Sequence, residues 1–432
     1  MISSPRPSSA ATATTNIYSE PALTELVIDR LGHRGDGVVL QPNGKPLFVP
    51  YTLAGETVDV ELQGSSARLN RIVTPSPDRI EPACRHFGTC GGCLLQHIAP
   101  SPYADFKRQL VIDALDDRGL SPEVGETRVV PPHSRRRATF AGIMAGRHPL
   151  VGFNERASHR LVGLEECPVV KPQLLAALPA LTALTGLVAP RKGGLDLTVT
   201  LTSGGLDVSV AGIAARDVDR LRLPLIELAA RFDLARLSAG GEAIVERRPA
   251  VITIDGLAVT LPPGGFLQAS EEAETIMGEL VAAAIPAKAK RVADLFSGVG
   301  TFSLRLARLA EVLAVEGEAG AVAALDRAAR GMTGRHRITT EKRDLARRPL
   351  IEKELEKIDA VVFDPPRAGA AEQSQWLARS KVPTIVAVSC NPATLSRDLR
   401  TLVDGGYRIE SATPVDQFLW SSHVEVVAVL RR

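Results

Sequence analysis

From residue 291 to the end, the chain repeats one pattern: a short apolar run, a turn, then a helical stretch. The runs 292–296, 312–315, 360–363 and 384–388 lack the polar alternation of a half-exposed strand. They suit strands buried on both faces of a parallel sheet. The stretches 301–310 and 319–330 between them carry helical spacing. Strand and helix in alternation predict a doubly wound, Rossmann-like α/β domain over 262–432. Such sheets bind ligands beyond the carboxyl ends of their strands, so the residues that follow each run are the candidates for a site.

The upstream sequence does not continue this pattern. Between 23 and 75, period-two runs such as Glu25-Leu26-Val27-Ile28-Asp29 and Val58-Asp59-Val60-Glu61-Leu62 are broken by Gly35-Asp36-Gly37 and Pro42-Asn43-Gly44. About five antiparallel strands in 21–78 predict a small closed barrel. Arg30, His33, Arg34, Lys45, Arg68 and Arg71 lie in it. They fit an ordinary solvated surface and an oligonucleotide-binding (OB-like) barrel equally. Residues 79–261 read as a central α+β domain of unspecified topology. It holds a helix over 101–118 and strand-like runs at 195–201 and 206–210, and Pro262-Pro263-Gly264-Gly265 closes it. The leader 1–20 is rich in Ser, Thr, Ala and Pro and is expected to be a disordered tail.

Composition excludes several classes. With 51 basic and 49 acidic residues, the chain cannot grip nucleic acid by overall charge, so any such surface is local. No stretch approaches the ~18 apolar residues of a membrane span, and the leader lacks a signal-peptide core. A cytoplasmic protein with no membrane partner is expected, and no coiled-coil stripe points to an obligate protein partner. Five cysteines, an odd number, argue against a disulfide framework in that compartment.

The cysteines fall into two groups. Cys84, Cys90 and Cys93 crowd into Cys84-Arg-His-Phe-Gly-Thr-Cys90-Gly-Gly-Cys93, and Cys167 stands apart in Glu166-Cys167-Pro168. An all-thiolate set of four suits zinc or an iron-sulfur cluster. Cys390 instead follows an apolar run and precedes Asn391-Pro392, a helix start. That setting is expected to lower a thiol pKa and make a nucleophile, against the commoner role of a single Cys as a small buried apolar residue.

Around Cys390 the other strand ends carry a nucleoside site. Asp294-Leu-Phe-Ser-Gly298-Val-Gly300 follows the first run, and Val315-Glu316-Gly317 ends the second with an acid suited to ribose hydroxyls. No Gly-x-Gly-x-x-Gly loop or Walker Lys is present, so S-adenosylmethionine fits better than a dinucleotide or ATP. Asp344 follows the third segment, as an adenine contact or a turn cap. Asp364-Pro365-Pro366-Arg367 ends the fourth, where two prolines stiffen the exit. A nucleophilic Cys beside a methyl sulfonium suggests covalent catalysis at a pyrimidine: thiolate addition to C6 makes C5 nucleophilic, and a base must later remove the C5 proton. Glu425, in His423-Val424-Glu425, is the candidate base, though an acid before a strand is usually solvated.

Together these residues resemble the S-adenosylmethionine-dependent RNA 5-methyluridine methyltransferases. The likeness is to the 23S ribosomal RNA branch, which carries a TRAM barrel and a 4Fe-4S cluster, and it spans the chain from about residue 23. The resemblance implies that Cys84, Cys90, Cys93 and Cys167 hold a 4Fe-4S cluster. From Phe266-Leu-Gln268 it implies that Gln268, with Phe296, Gly298, Thr301, Glu316, Asp344 and Asp364, lines the cofactor pocket. It also implies Cys390 as nucleophile, Glu425 as proton acceptor and 23S rRNA as substrate. A transfer RNA uridine with the same chemistry, or a non-catalytic RNA-binding module, are the alternatives. Arg135-Arg136-Arg137 are candidate phosphate contacts or solvated charges. The chain departs from the family at Ser270, at Ser297 and in Gln417-Phe-Leu-Trp-Ser-Ser422, where Asn, Cys and a Met-Phe-Pro stretch are usual.

Overall fold

The computed structural model describes residues 24–190 and 193–432, so the leader 1–20 lies outside the described residues. The chain divides into two compact units at Pro77/Asp78. Among its described residues the first holds six strands against the expected five or so: Thr24–Val27, Arg30–Leu31, Gly37–Leu40, Pro46–Val49, Thr57–Gln63 and Ser66–Thr74. The extra one, Arg30–Leu31, is too short to show alternation in sequence. Thr24–Val27 and Arg30–Leu31 occupy opposite edges of the sheet, yet only two residues join them. A link of that length spans at most about 10 Å. Six flat strands would separate the edges by roughly 24 Å, so the sheet must curl back on itself. Ile28, Leu47, Val49, Val58, Val60 and Ala67 fill it.

The second unit contains two large sheets. Residues from Arg137–Ala145 to Glu242–Glu246 build a seven-stranded sheet that is antiparallel except where Gly205–Ala211 meets Arg236–Ala239. Helix Leu178–Val188 packs on it through Leu181 and Leu184. A two-stranded hairpin, Val251–Ile254 with Leu257–Thr260, follows.

The eight-stranded sheet carries the site. Its order is Ile338–Lys342, Glu311–Glu316, Arg291–Leu295, Ala360–Phe363, Thr384–Ser389, Glu425–Arg431, Arg408–Asp416 and Arg128–Val129. The first five are parallel, and Glu425–Arg431 inserts antiparallel beside the fifth. The order reverses between Arg291–Leu295 and Ala360–Phe363, which opens a crevice above their carboxyl ends. Val361, Phe363, Ile385 and Ala387 face one core layer, and Val362, Val386 and Val388 face the other. Both faces are covered, which is why these runs carry no polar alternation. The stretch 301–310 forms only the single turn Ser303–Leu306. The chain must reverse there to enter the strand at Glu311, and Leu309 and Ala310 both donate to the Leu306 carbonyl instead of extending the helix. Among the described residues no helix is long and apolar enough to cross a membrane.

Candidate active site

Strand register sets the rim of the crevice. Leu295 lies opposite Val315 on one side and Phe363 on the other, so the next residues, Glu316, Phe296 and Asp364, stand in a row at the carboxyl edge. Ser389 pairs with Val426, and Val415 pairs with Glu425. Cys390, Glu425 and Gln417 therefore continue that row across the antiparallel strand. Hydrogen-bonded backbone places these residues, not a loop fold.

The first turn is shaped for close approach. Phe296 adopts φ +61° and Gly300 φ +101°. The left-handed conformation at Phe296 costs about 1–2 kcal/mol and turns the chain sharply off the strand. A Cβ on Gly300 would sit 2.5 Å from Leu325 Cδ1, so the turn also needs the missing side chain. Glu316 steadies the loop: Oε2 accepts from the Gly298 N–H at 3.0 Å and Oε1 from the Glu318 N–H at 2.8 Å. Asp294, fully buried, accepts from the Ser303 hydroxyl, while its Oδ1 and the Ser297 Oγ have no partner. Burial pushes the Asp294 carboxyl up to about 7. Open space above Gly298 and orphaned polar atoms beneath it are what a bound nucleoside would fill. Thr301 is half-buried beside this turn. Asp344 is exposed and its Oδ1 accepts from the Ala346 N–H at 3.1 Å, so it caps a turn.

A second cluster lies across the crevice. The Gln268 amide donates to Asp364 Oδ2 at 3.0 Å, and Gln417 Nε2 donates to both Gln268 Oε1 at 2.8 Å and Glu425 Oε1 at 2.6 Å. Glu425 is 3% exposed and its Oε2 has no partner, so the usual solvated acid is not what stands here. Burial first, then the Asp364 charge, pushes the Glu425 carboxyl well above the usual range. Asp364 is likewise raised by burial. The expected low-pKa thiol is overturned. Burial, then Glu425 and Asp364, push Cys390 up to about 11, with Arg367 as the opposing cation. Burial, joined by two carboxylates, outweighs a helix start, although Asn391 does cap that helix through Ala393. Arg367 is fixed where its backbone carbonyl accepts from Asn391 Nδ2 and Thr394 Oγ1.

Sequence reasoning missed Arg367, Gln417 and the props behind them. Of the three arginines 135–137, Arg136 is no phosphate contact. It is 4% exposed, pairs with Glu274 at 2.6 Å and donates to the Gln268 carbonyl, which positions that residue's backbone. Buried Lys107 pairs with Asp416 at 2.8 Å and donates to the carbonyls of Phe418 and His423, and Tyr103 bonds Asp416 and Trp420. These residues fix the 417–423 loop on helix Pro100–Asp116. No motif signalled them, although a Tyr and a Lys one helical turn apart is the pattern that two anchors on one face would leave.

Cys84, Cys90, Cys93 and Cys167 all line one cavity of about 590 Å³, walled also by Phe153, Phe418 and His423. Cys93 is pushed up to about 12 by burial, and neighbouring sulfurs add to the rise. Among the described residues no group of three or more His, Cys, Asp or Glu side chains is arranged to hold a metal ion.

A family model described as tRNA (Uracil-5-)-methyltransferase covers residues 252–432. An RNA methyltransferase of Brucella suis is 49% identical over 94% of this chain and 98% of its own length. The 23S rRNA (uracil(1939)-C(5))-methyltransferase of Chromohalobacter salexigens is 34% identical over 94% of this chain and 89% of its own. The chain belongs to the S-adenosylmethionine-dependent RNA uracil-5-methyltransferases. It is thus an enzyme that uses S-adenosylmethionine to methylate C5 of an RNA uridine. The same fold, at TM-score 0.71 and 22% identity, is seen in the Pyrococcus abyssi tRNA (uracil-54, C5)-methyltransferase, over 94% of this chain and 99% of that one.

Proposed function

We propose that Cys390 and Glu425 are the nucleophile and the proton acceptor of the methyltransferase, and that Gln268, Phe296, Gly298, Thr301, Glu316 and Asp364 line its cofactor pocket, with the turn cap Asp344 at its exposed margin. The observation that carries this reading is the single row of strand ends from Glu316 to Glu425. S-adenosylmethionine supplies an electrophilic methyl group. Cys390 Sγ adds to uracil C6, Arg367 favours the thiolate, and C5 gains the electron density to attack. Asp364 and Gln268 are placed to hold the ring edge, and Glu425 Oε2 to take the C5 proton. Burial opposes ionisation of the thiol, and Arg367 is the cation placed to offset it.

Two RNA classes have support. The family description and the full-length structural neighbour name transfer RNA. The Chromohalobacter relative names 23S rRNA. The 24–74 sheet as a TRAM barrel would serve either by holding single-stranded RNA while the base is turned out of its helix. For the four cysteines we propose a 4Fe-4S cluster as a brace. The donor set is all thiolate, as such clusters require, and a four-iron cube needs sulfurs spread more widely than one ion does. The test is transfer of labelled methyl into separately purified, unmodified 23S rRNA and transfer RNA, followed by nucleoside analysis. Label as 5-methyluridine in one of them assigns the substrate. The Glu425→Gln enzyme should accumulate a protein–RNA adduct, and its absence would remove the covalent mechanism.

A further inference from the structure

Gln417 is 3% exposed, and its three hydrogen bonds exceed what packing alone needs. Its Oε1 accepts from the Ala269 N–H at 3.0 Å, and its Nε2 donates to Gln268 Oε1 and Glu425 Oε1. A backbone N–H can only donate, so the amide cannot be flipped: oxygen faces Ala269 and the NH₂ faces the other two. Gln268 is fixed in turn, accepting from Gln417 and donating to Asp364. Two amides thus connect the carboxylate on the cofactor side to the carboxylate beside Cys390. The strand ladder fixes the Glu425 backbone but not its side-chain torsions. Gln417 fixes those, and leaves Oε2 as the buried oxygen without a partner.

We propose that Gln417 is the positioning residue for proton removal, holding Glu425 by Oε1 so that Oε2 meets the C5 hydrogen of the methylated adduct. This rests on the covalent reading above. In that step the C5–H bond breaks and its proton passes to Oε2. The electron pair of that bond forms the C5=C6 double bond, and the C6–S bond breaks with its pair leaving on Cys390. An N–H donor favours the charged carboxylate, so Gln417 has a second effect. Facing Glu425, Asp364 and the Cys390 sulfur oppose its ionisation, while Arg367 and Gln417 support it. Removing Gln417 subtracts one of the two supports.

Gln417→Met keeps length and volume but has no donor. The measurements are the single-turnover methylation rate across neutral and alkaline pH and the fraction of enzyme trapped as a denaturation-resistant RNA adduct. Glu425 acts as the deprotonated form, so raising its pKa moves the acidic limb of the rate profile to higher pH. At neutral pH the rate should fall about tenfold, as a shift of one unit gives. The adduct should accumulate, and the rate should recover at alkaline pH. A residue that merely packs would leave profile and adduct fraction as in the wild type, and that result overturns the proposal. Gln417→Glu keeps the size and adds a carboxylate beside Glu425. It should shift the limb at least as far, and an unshifted limb there overturns the proposal even where the Met variant does not fold. Wild-type enzyme that methylates without any trappable adduct would sink the covalent reading and this inference together. A wild-type adduct with an unshifted variant sinks this inference alone.

Discussion

The cysteine cavity and the catalytic rim share the 418–423 loop as a wall, yet they are built by opposite means. Every rim position from Glu316 to Glu425 follows or begins a strand of one sheet, so its backbone is fixed by ladder bonds on one or both sides. The cysteines sit on loops. The 84–93 turn is tied to the rest by the Cys90–Glu155 bridge, by Arg85 on Glu165 and Glu166, and by Leu94 and Leu95 donating to the Trp420 carbonyl. A strand-end site is formed before any ligand arrives. With burial and neighbouring sulfurs acting against the charge of Cys84, Cys90 and Cys93, the loop-built site would depend on the cluster proposed above.

Exchanging the two kinds of cysteine gives the largest contrast. Cys390→Ala should lower methylation on the order of 10³-fold or more, remove the trapped adduct and leave the melting temperature within a few degrees. On the cluster proposed above, Cys93→Ser should do the reverse: iron is lost, the melting temperature drops by about 5 °C or more, and the residual activity per folded molecule stays above that of Cys390→Ala. Iron content, calorimetry and methyl incorporation on both variants decide it. A stable Cys93→Ser protein that contains no iron and keeps full activity would erase the distinction.

The shared wall gives a smaller effect that tests both sites together. Lys107 and Asp416 are both fully buried, and removing one partner of such a pair costs about 3–5 kcal/mol. Lys107→Met should therefore move the denaturant midpoint down. Because Lys107 also holds the carbonyls of Phe418 and His423, it should lower activity as well. Loss of stability with undiminished turnover in the folded fraction would show that the loop keeps its place without this anchor.

What could be read in the sequence follows the same division. Strand ends are written as apolar runs, so Glu316, Asp364, Cys390 and Glu425 could be located by counting from the last apolar residue. Contacts between segments distant in the chain could not. In sequence Arg136 looks like Arg135 and Arg137, which are half-buried, until Glu274, 138 residues away, is placed beside it. Gln417 was visible only as a departure from a family pattern, since its partners at 268, 269 and 425 meet through the fold. The thiol shift at Cys390 is hidden from sequence for the same reason: the helix start is local and legible, whereas the burial that raises the thiol and the two carboxylates that add to it come from the fold.

The smallest effect expected separates two acids that sequence position alone would rank together. Glu316 ends one strand of the sheet and Asp344 lies just past another, but Glu316 is half-buried with both oxygens on backbone N–H groups, whereas Asp344 is exposed and caps a turn. In Glu316→Gln one of those N–H groups faces an NH₂ and the charge is gone. Loss of a hydrogen bond to a charged group is worth about 1.5–3 kcal/mol, so KM for S-adenosylmethionine should rise by about tenfold or more. In Asp344→Asn the side-chain oxygen can still accept from Ala346, and an exposed charge contributes little, so KM should change by about twofold at most. Calorimetric titration of the cofactor into both variants separates binding from chemistry. Equal losses would mean that the exposed acid reaches the nucleoside as the strand-end acid does, and the rim would then extend onto the 343–348 turn.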